Sequence, residues 1–369
     1  MRPAPGSRVV VAMSGGVDSS VAAALLVEGG YEVVGISMRL APESRAGTSS
    51  GCCSLEDFRD AGRVAERLGI AHYVFDMRRE FSERVVAPFV EQYLSGRTPS
   101  PCILCNREIK FSLLRRKAAE LGAYWVATGH YARSEHDGRR WRLLRGRDEG
   151  KDQSYFLFEM GQAELGRTLF PVGGLSKVEV RREATRLGLG VAEKPDSQEI
   201  CFVPDGRYAD FVEKVAGERV RAGVIRDVAG NALGEHAGVH RFTVGQRKGL
   251  GISAAEPLYV TGIDAARSAV TVAPRRHLAV AGLVADGVCW TAGPAEPAGA
   301  KVDVRIRHRH RAVAARVFEH GDGARRVEFE QPQEGVSPGQ AAVFYRGEEV
   351  VGGGWIRAAL PLSESATCA

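Results

Sequence analysis

Apolar positions in the first half of the chain alternate between two rhythms. RVVVAM (Arg8–Met13) is a continuous apolar run of buried-strand length, followed at once by the turn SGGVDSS (Ser14–Ser20). VAAALLVEGG (Val21–Gly30) continues as a helix, and YEVVGISMRL (Tyr31–Leu40) is a second buried-strand pattern. A Ser-, Gly- and Pro-rich loop follows over residues 41–51. In LEDFRDAGRVAERLG, Phe58, Ala61, Ala65 and Leu68 recur at helical spacing, and Gly69 is a stop signal. AHYVFDM is strand-like. Ile109, Leu113, Leu114, Ala118 and Leu121 make another amphipathic stripe, stopped at Gly122, and YWVATGH (Tyr124–His130) is one more short apolar run. Repeated βα units predict a parallel sheet with helices on both faces. Ligands of such sheets sit at the carboxyl ends of the strands, where SGGVDSS lies.

Beyond about residue 205 the helical stripes give way to short alternating runs such as RFTVGQ, PLYVTGID and SAVTVAP. The last hundred residues read as all-β. KVDVRIRHRH places Val302, Val304 and Ile306 on one face against Asp303, Arg305 and Arg307 on the other. RRVEFE and AAVFYRGEEVVGGG continue the alternation between turns, and AGPAEPAGA (Ala292–Ala300) is a Pro/Gly-rich loop. The expected division is an α/β nucleotide-binding catalytic domain over 1–208, a small central module over 209–276 and a C-terminal β-barrel over 277–369.

Composition changes this picture little. The 369 residues are 44% hydrophobic and 26% charged, as in ordinary globular proteins, and no apolar run approaches a membrane span. The amino-terminal segment MRPAPGSRVV lacks a signal-peptide core, so a cytoplasmic enzyme is expected. A net charge of +5 leans mildly towards an anionic partner. Seven cysteines, at 52, 53, 102, 105, 201, 289 and 368, are odd in number and unevenly spaced. That pattern argues for reactive or metal-binding thiols over a disulfide framework.

The turn SGGVDSS carries the first chemistry. Glycines at a strand-to-helix turn let backbone N–H groups approach an anion, and Ser14, Ser19 and Ser20 add hydroxyl donors. A helix cap built from Gly, Ser and Asp is the plainer alternative. The lysine of a Walker-type loop is missing. SGGxDS resembles the pattern of the PP-loop ATP pyrophosphatases, which cleave ATP between the α- and β-phosphates. In that setting Asp18 is a candidate to position Mg²⁺ or the pyrophosphate leaving group.

TPSPCILCNREIKF (Thr98–Phe111) places Cys102 and Cys105 in a CxxC just before a helix, with Arg97 and Arg107 nearby. Positive charge and a helix amino terminus both favour thiolate. Two packed cysteines are the alternative; a zinc site lacks its second ligand pair at recognisable spacing. A cluster completed by Cys52 and Cys53 depends on the fold. EKPDSQEICFVPDG (Glu193–Gly206) carries a lone Cys201 where a strand starts at Ile200. Beside a reactive CxxC, Cys201 becomes a candidate sulfur carrier or resolving thiol.

SGGVDSS, GRTPSPCILCN, TGHYAR, GRDEGKDQSYFL, DSQEICFV and FTVGQRKGLGI occur together in the order found in the tRNA-specific 2-thiouridylases, a family this chain resembles from about Val9 onward. The resemblance implies ATP-dependent adenylation of the C2 oxygen of the wobble uridine (position 34) of tRNA, then sulfur transfer from a cysteine persulfide, with AMP and pyrophosphate released. It implies ATP binding by Ala12, Met13, Ser14, Gly15, Gly16, Val17, Asp18 and Ser19, with Met38 and Gly129. Cys105 matches the family nucleophile and Cys201 its persulfide-bearing cysteine, with a transient disulfide between them. Ser100, Pro101 and Cys102 match the segment that meets the target base; Lys151, Asp152 and Gln153, with Arg307 and His308, match tRNA-contacting positions. A persulfide donor, such as a cysteine desulfurase or sulfur-relay protein, is implied as partner; Mg²⁺ accompanies ATP.

Two departures from the family pattern stand out. Its frequent NPD reads SPC here, so Cys102 replaces an aspartate; Cys102, Cys105 and Cys201 are then candidate ligands of an iron–sulfur cluster. His308 replaces a tyrosine, keeping a ring and adding a titratable group. Whether the persulfide attacks C2 directly, or Cys105 first releases sulfide, stays open. For RNA contact, residues 139–151 contain six basic side chains (139, 140, 142, 145, 147, 151) against Asp148 and Glu149. RIRHRHR is expected to show Arg305, Arg307, Arg309 and Arg311 on one strand face, fit for phosphates. The target base has to be flipped out to reach the thiols. The rivals are a PP-loop ligase acting on a small metabolite, which cleaves ATP without tRNA, and a non-catalytic RNA-binding module, which does not need an intact loop.

Overall fold

The computed structural model describes residues 3–40, 54–196, 200–203, 206–291, 293 and 297–362. The loop over 41–51, the pair Cys52–Cys53 and Cys368 lie outside them. Strand β1 (Arg8–Ala12) runs into the SGG turn and helix α1 (Val17–Glu28); β2 (Glu32–Arg39), α2 (Leu55–Leu68) and β3 (Ala71–Asp76) follow. With β4 (Trp125–Ala127) and a short later strand over Thr168–Leu169, these strands form a five-stranded sheet in which β1 is central. All its pairings are parallel. Val9, Val10 and Val11 are wholly buried because helices cover both faces, which is why β1 reads as an unbroken apolar run. α2 opens on a capping box between Ser54 and Asp57 and stops at Gly69, whose φ of 65° is left-handed, as its sequence position implied.

The CxxC does not precede its helix. Pro101 is the first helical residue, Cys102 and Cys105 lie within the segment Pro101–Cys105, and the helical path continues through residue 120 with a π-helical stretch over Asn106–Leu113. No strand starts at Ile200; residues 201–203 form a turn and bend.

The central module is a four-stranded sheet over residues 223–274. Six long antiparallel strands then close a barrel: the strand Ala279–Cys289 pairs with the strand Arg325–Glu334 on one side and the final strand Glu349–Pro361 on the other. The hairpin Ala132–His136 and Trp141–Arg145, from the nucleotide half, joins the same sheet through the final strand, at Leu144↔Glu349 and Leu143↔Val350. The barrel is thus bonded directly to the parallel-sheet domain. Among the described residues no helix is long and apolar enough to cross a membrane.

Candidate active site

The SGG turn lies at the carboxyl end of β1 and is held from all sides. Gly15 has φ +74°, and a Cβ there would meet the Asp57 carbonyl oxygen at 2.2 Å. Gly16 caps α1 in an extended conformation without a side-chain cap, which leaves the first-turn N–H groups of α1 for an anion. Ser19 Oγ accepts from Ser14 N–H at 3.1 Å and lies 3.2 Å from Ser14 Oγ; Ser20 Oγ donates to the Gly16 carbonyl at 2.9 Å. Gly129 packs on the same helix start: a Cβ would come within 2.7 Å of Ser19 N. Ser37 at the end of β2 donates to the Met13 carbonyl at 2.7 Å and contacts His72 at 2.9 Å.

Lysines missing from the loop arrive from elsewhere in the chain. Lys194 Nζ reaches the Gly15 carbonyl at 3.1 Å, Asp57 at 2.7 Å and Asp60 at 2.5 Å. Burial works against its charge, but the two carboxylates outweigh that and raise its pKa. Lys177 Nζ donates to both Asp18 oxygens, at 2.7 and 2.9 Å, and pairs with Asp196 at 2.7 Å. Lys151 and Arg181 also pair with Asp196, at 2.6 and 3.2 Å. Burial would raise the Asp196 pKa, yet the Lys151 and Lys177 contacts prevail and lower it. The Tyr131 hydroxyl completes the cluster, donating to Asp18 at 2.7 Å; burial first, then Asp18, drives its pKa upward. None of Lys177, Lys194, Tyr131 and Asp196 had been singled out from the sequence. The readable signal was the S-x-x-E of Ser176–Glu179, a capping box that places Lys177 at the first position of the helix Lys177–Arg186.

The thiols lie against a second cluster. Cys105 is buried together with Leu104, Ile109, Met77, Phe81 and Val85, and Met38 and the half-buried Cys201 pack on that same group. Phe202 anchors the Cys201 turn by edge-on contacts with Phe81 at 5.4 Å and Phe89 at 5.1 Å. Ser100 and Pro101 are buried beside Cys105, whereas Cys102 is exposed. Among the described residues no three His, Cys, Asp or Glu side chains are arranged to hold a metal ion, and the candidate ligands Cys102, Cys105 and Cys201 form no such group there. Cys102 opens to solvent while the other two face an apolar group. Cys289 is remote in role: burial, then the charge of Glu159, pushes its thiol up to about 12.

Family models match in three consecutive stretches: a tRNA methyl transferase HUP domain over residues 7–205, a tRNA methyl transferase PRC-barrel domain over 209–274 and an aminomethyltransferase beta-barrel domain over 280–356. Three curated proteins called tRNA-specific 2-thiouridylase MnmA are each 52% identical. That of Geobacter metallireducens aligns over 96% of this chain and 97% of its own length, that of Geotalea uraniireducens over 96% of each, and that of Sorangium cellulosum over 97% and 94%. The chain belongs to the tRNA-specific 2-thiouridylase family. Among solved structures, a 4-thiouridine synthetase–RNA complex with bound ATP is similar over 58% of this chain and 51% of its own, at 18% identity and with a TM-score of 0.35.

The positions matched to tRNA contacts in the 2-thiouridylase family meet at the joint between barrel and nucleotide half. Gln153 exchanges hydrogen bonds with Tyr131, accepting from its N–H at 3.0 Å through Oε1 and donating to its carbonyl at 2.9 Å. Asp152 is buried, 4% exposed; it accepts from Arg305 at 2.8 Å and from the N–H groups of Gly146 and Ser154. His308 contacts the Asp152 carbonyl at 3.1 Å and packs on Phe156 with ring centroids 4.4 Å apart. Burial lowers the His308 pKa, against the opposing pull of Asp152, and so favours the neutral ring.

The expected arginine-striped strand face is not formed. The strand ends at Arg305, the chain turns over residues 306–310, and Arg305 points inward while Arg307, Arg309 and Arg311 are exposed on the turn and just after it. The basic run over 139–151 is likewise largely taken up by contacts within the protein. Arg140 and Arg142 both bind the buried Glu349, Arg145 lies over Tyr345 at 4.2 Å, Arg147 pairs with Glu179 and Lys151 with Asp196. Charge pattern alone does not distinguish a phosphate-binding stripe from arginines that join two domains.

Proposed function

We propose that this chain adenylates the C2 oxygen of the wobble uridine of tRNA with ATP and replaces that oxygen by persulfide sulfur. One observation carries the reading: the parallel sheet whose β1 leads into the anion-ready turn also ends, at Met38 of β2, in the cluster that holds Cys105 and Cys201. An activating nucleotide and two thiols thus share one end of one sheet. Ala12 to Ser19 and Gly129 supply a close-fitting backbone cradle, and the carboxylate of Asp18, a hard oxygen donor, suits the Mg²⁺ that accompanies ATP.

The uridine C2 oxygen attacks the α-phosphorus, and the α–β bridging bond breaks with its electron pair leaving on pyrophosphate. Cys201, carrying a terminal sulfur received from a persulfide donor, attacks C2, and AMP departs with the original oxygen. Cys105 thiolate then attacks the Cys201 sulfur; the S–S bond to the transferred atom breaks, its electrons complete the C2 thiocarbonyl, and a Cys105–Cys201 disulfide remains. A thiol reductant supplies two electrons to restore both cysteines. Urea-like oxygen is a poor leaving group and AMP a good one, which is why the nucleotide is needed. Arg307, Arg309 and Arg311 are exposed, which supports assigning them to tRNA phosphates.

The test is mass spectrometry of nucleosides from tRNA incubated with the protein, MgATP and a persulfide donor. The expected result is 2-thiouridine at position 34 with one AMP formed per base. AMP release without tRNA, and no 2-thiouridine with it, is the outcome of a small-metabolite ligase and overturns the reading. The cradle gives a further expectation. Gly15→Ala combines an unfavourable positive φ with a Cβ 2.2 Å from the Asp57 carbonyl oxygen, so the turn has to move. ATP affinity, measured by titration calorimetry, is expected to fall about tenfold or more, as befits a loss of 1–3 kcal/mol from backbone strain.

A further inference from the structure

We propose that Lys177 is the phosphate-binding lysine that the SGGVDSS turn lacks, delivered from the start of a separate helix to hold the pyrophosphate end of ATP. The inference rests on the ATP reading above and assigns one residue within it. Four observations lead to it.

The first is position. Lys177 opens the helix Lys177–Arg186, and that helix packs beside α1 so that its ammonium meets Asp18 in the first turn of α1. The first turns of the two helices are thus joined through this ion pair, and a helix start favours negative charge. The second is holding. The side chain is 11% exposed, and its ammonium lies between Asp18 and Asp196, at 2.7 Å from an oxygen of each. Its backbone N–H is tied to Asp148 at 2.8 Å, and the Ser176–Glu179 capping box fixes the helix start. A long side chain is thereby pre-ordered, which removes much of the entropy loss of gripping a ligand.

Charge count is the third. Lys177, Lys151 and Arg181 pair with Asp18 and Asp196, and Asp148 accepts from the Lys177 N–H, so among these described side chains three cations meet three carboxylates. When Mg²⁺ arrives with the nucleotide and draws on Asp18, Lys177 loses one anionic partner and gains the phosphates in exchange. The fourth is exclusion. Lys194, the other lysine at the turn, is bound to the Gly15 carbonyl, Asp57 and Asp60, so it braces the loop from behind. Lys177 stands on the Asp18 side, where the leaving group departs. As the α–β bond breaks, negative charge builds on pyrophosphate, and a fixed ammonium there stabilises the transition state more than the ground state.

The experiment measures MgATP, AMP and magnesium pyrophosphate binding to the full chain by calorimetry, with tRNA-dependent ATP–pyrophosphate exchange as a second readout. Lys177→Met is expected to weaken ATP and pyrophosphate binding at least tenfold and slow exchange further, while AMP affinity stays within twofold. Lys177→Arg is expected to recover most of the ATP affinity. Because Lys177 also neutralises two carboxylates, Lys177→Met with Asp196→Asn is measured in parallel to relieve the uncovered charge and keep the protein folded. Unchanged ATP and pyrophosphate affinity in both methionine variants overturns the assignment, as does an equal loss of AMP binding, which marks a structural role. Wild-type protein that binds neither ATP nor AMP refutes the nucleotide reading itself, so the two failures are distinct.

Discussion

Cys201→Ser is expected to lose 2-thiouridine formation by about a thousandfold or more, the scale of removing a group that carries the chemistry itself. Serine differs from cysteine by one atom, and the Cys201 turn is anchored by its neighbour Phe202 against Phe81 and Phe89, so the fold is preserved. A hydroxyl cannot hold a persulfide sulfur. The substitution leaves the SGGVDSS turn and the lysines beside it in place, so tRNA-dependent ATP–pyrophosphate exchange is expected to remain near wild type. Cys105→Ser gives the complementary result: the protein accepts sulfur on Cys201, seen by intact mass, but completes no thiocarbonyl. The pair separates carrier from resolving thiol. Normal 2-thiouridine production by Cys201→Ser assigns the sulfur to another residue and ends this account. Both cysteines pack on one apolar cluster.

Arg305→Met is expected to cost about 3–5 kcal/mol of stability, the usual penalty for leaving one half of a buried ion pair behind. Arg305 and Asp152 are 11% and 4% exposed and meet at 2.8 Å. The guanidinium also donates to the carbonyls of His308 and His310 and lies over the rings of Tyr155 and Tyr345, at 5.9 and 5.8 Å. Methionine fills much of the volume, so the loss is electrostatic rather than a cavity. Asp152 holds two backbone N–H groups, those of Gly146 and Ser154, and its disturbance reaches Lys151 and Gln153 on either side. Urea denaturation followed by tryptophan fluorescence measures the effect. The double variant Arg305→Met, Asp152→Asn keeps an acceptor for both N–H groups while removing the stranded charge, and it is expected to recover most of the loss. A single-variant cost below about 1 kcal/mol places this pair with surface ion pairs.

Much of the site was legible because its residues are adjacent in sequence. A strand, a glycine turn and a helix must follow one another to present backbone N–H groups, so SGGVDSS declares an anion site within seven residues. The strand alternation of Val302, Val304 and Ile306 is equally local, and all three are buried. Arg305 was misplaced because alternation says which face a residue occupies and not where the strand stops. The turn after Arg305 rotates the later arginines outward, while Asp152, 153 positions away, draws Arg305 inward.

The sequence by itself determined the βα order, the glycine turn at the carboxyl end of β1 and, through its string of motifs, the family. Those are short-range facts of backbone geometry and side-chain chemistry. The tertiary structure alone decided which charges face which. It carried Lys177 across 159 residues to Asp18 and Lys194 across 179 to the Gly15 carbonyl, and it brought Cys201 onto the cluster of Cys105. It also turned Arg140, Arg142 and Arg145, half of a basic run, into the joint between two domains. An ammonium or guanidinium acts through space, over a few ångströms, on whatever carboxylate the fold sets beside it. The loop that lacked a lysine in sequence has two beside it in the folded chain.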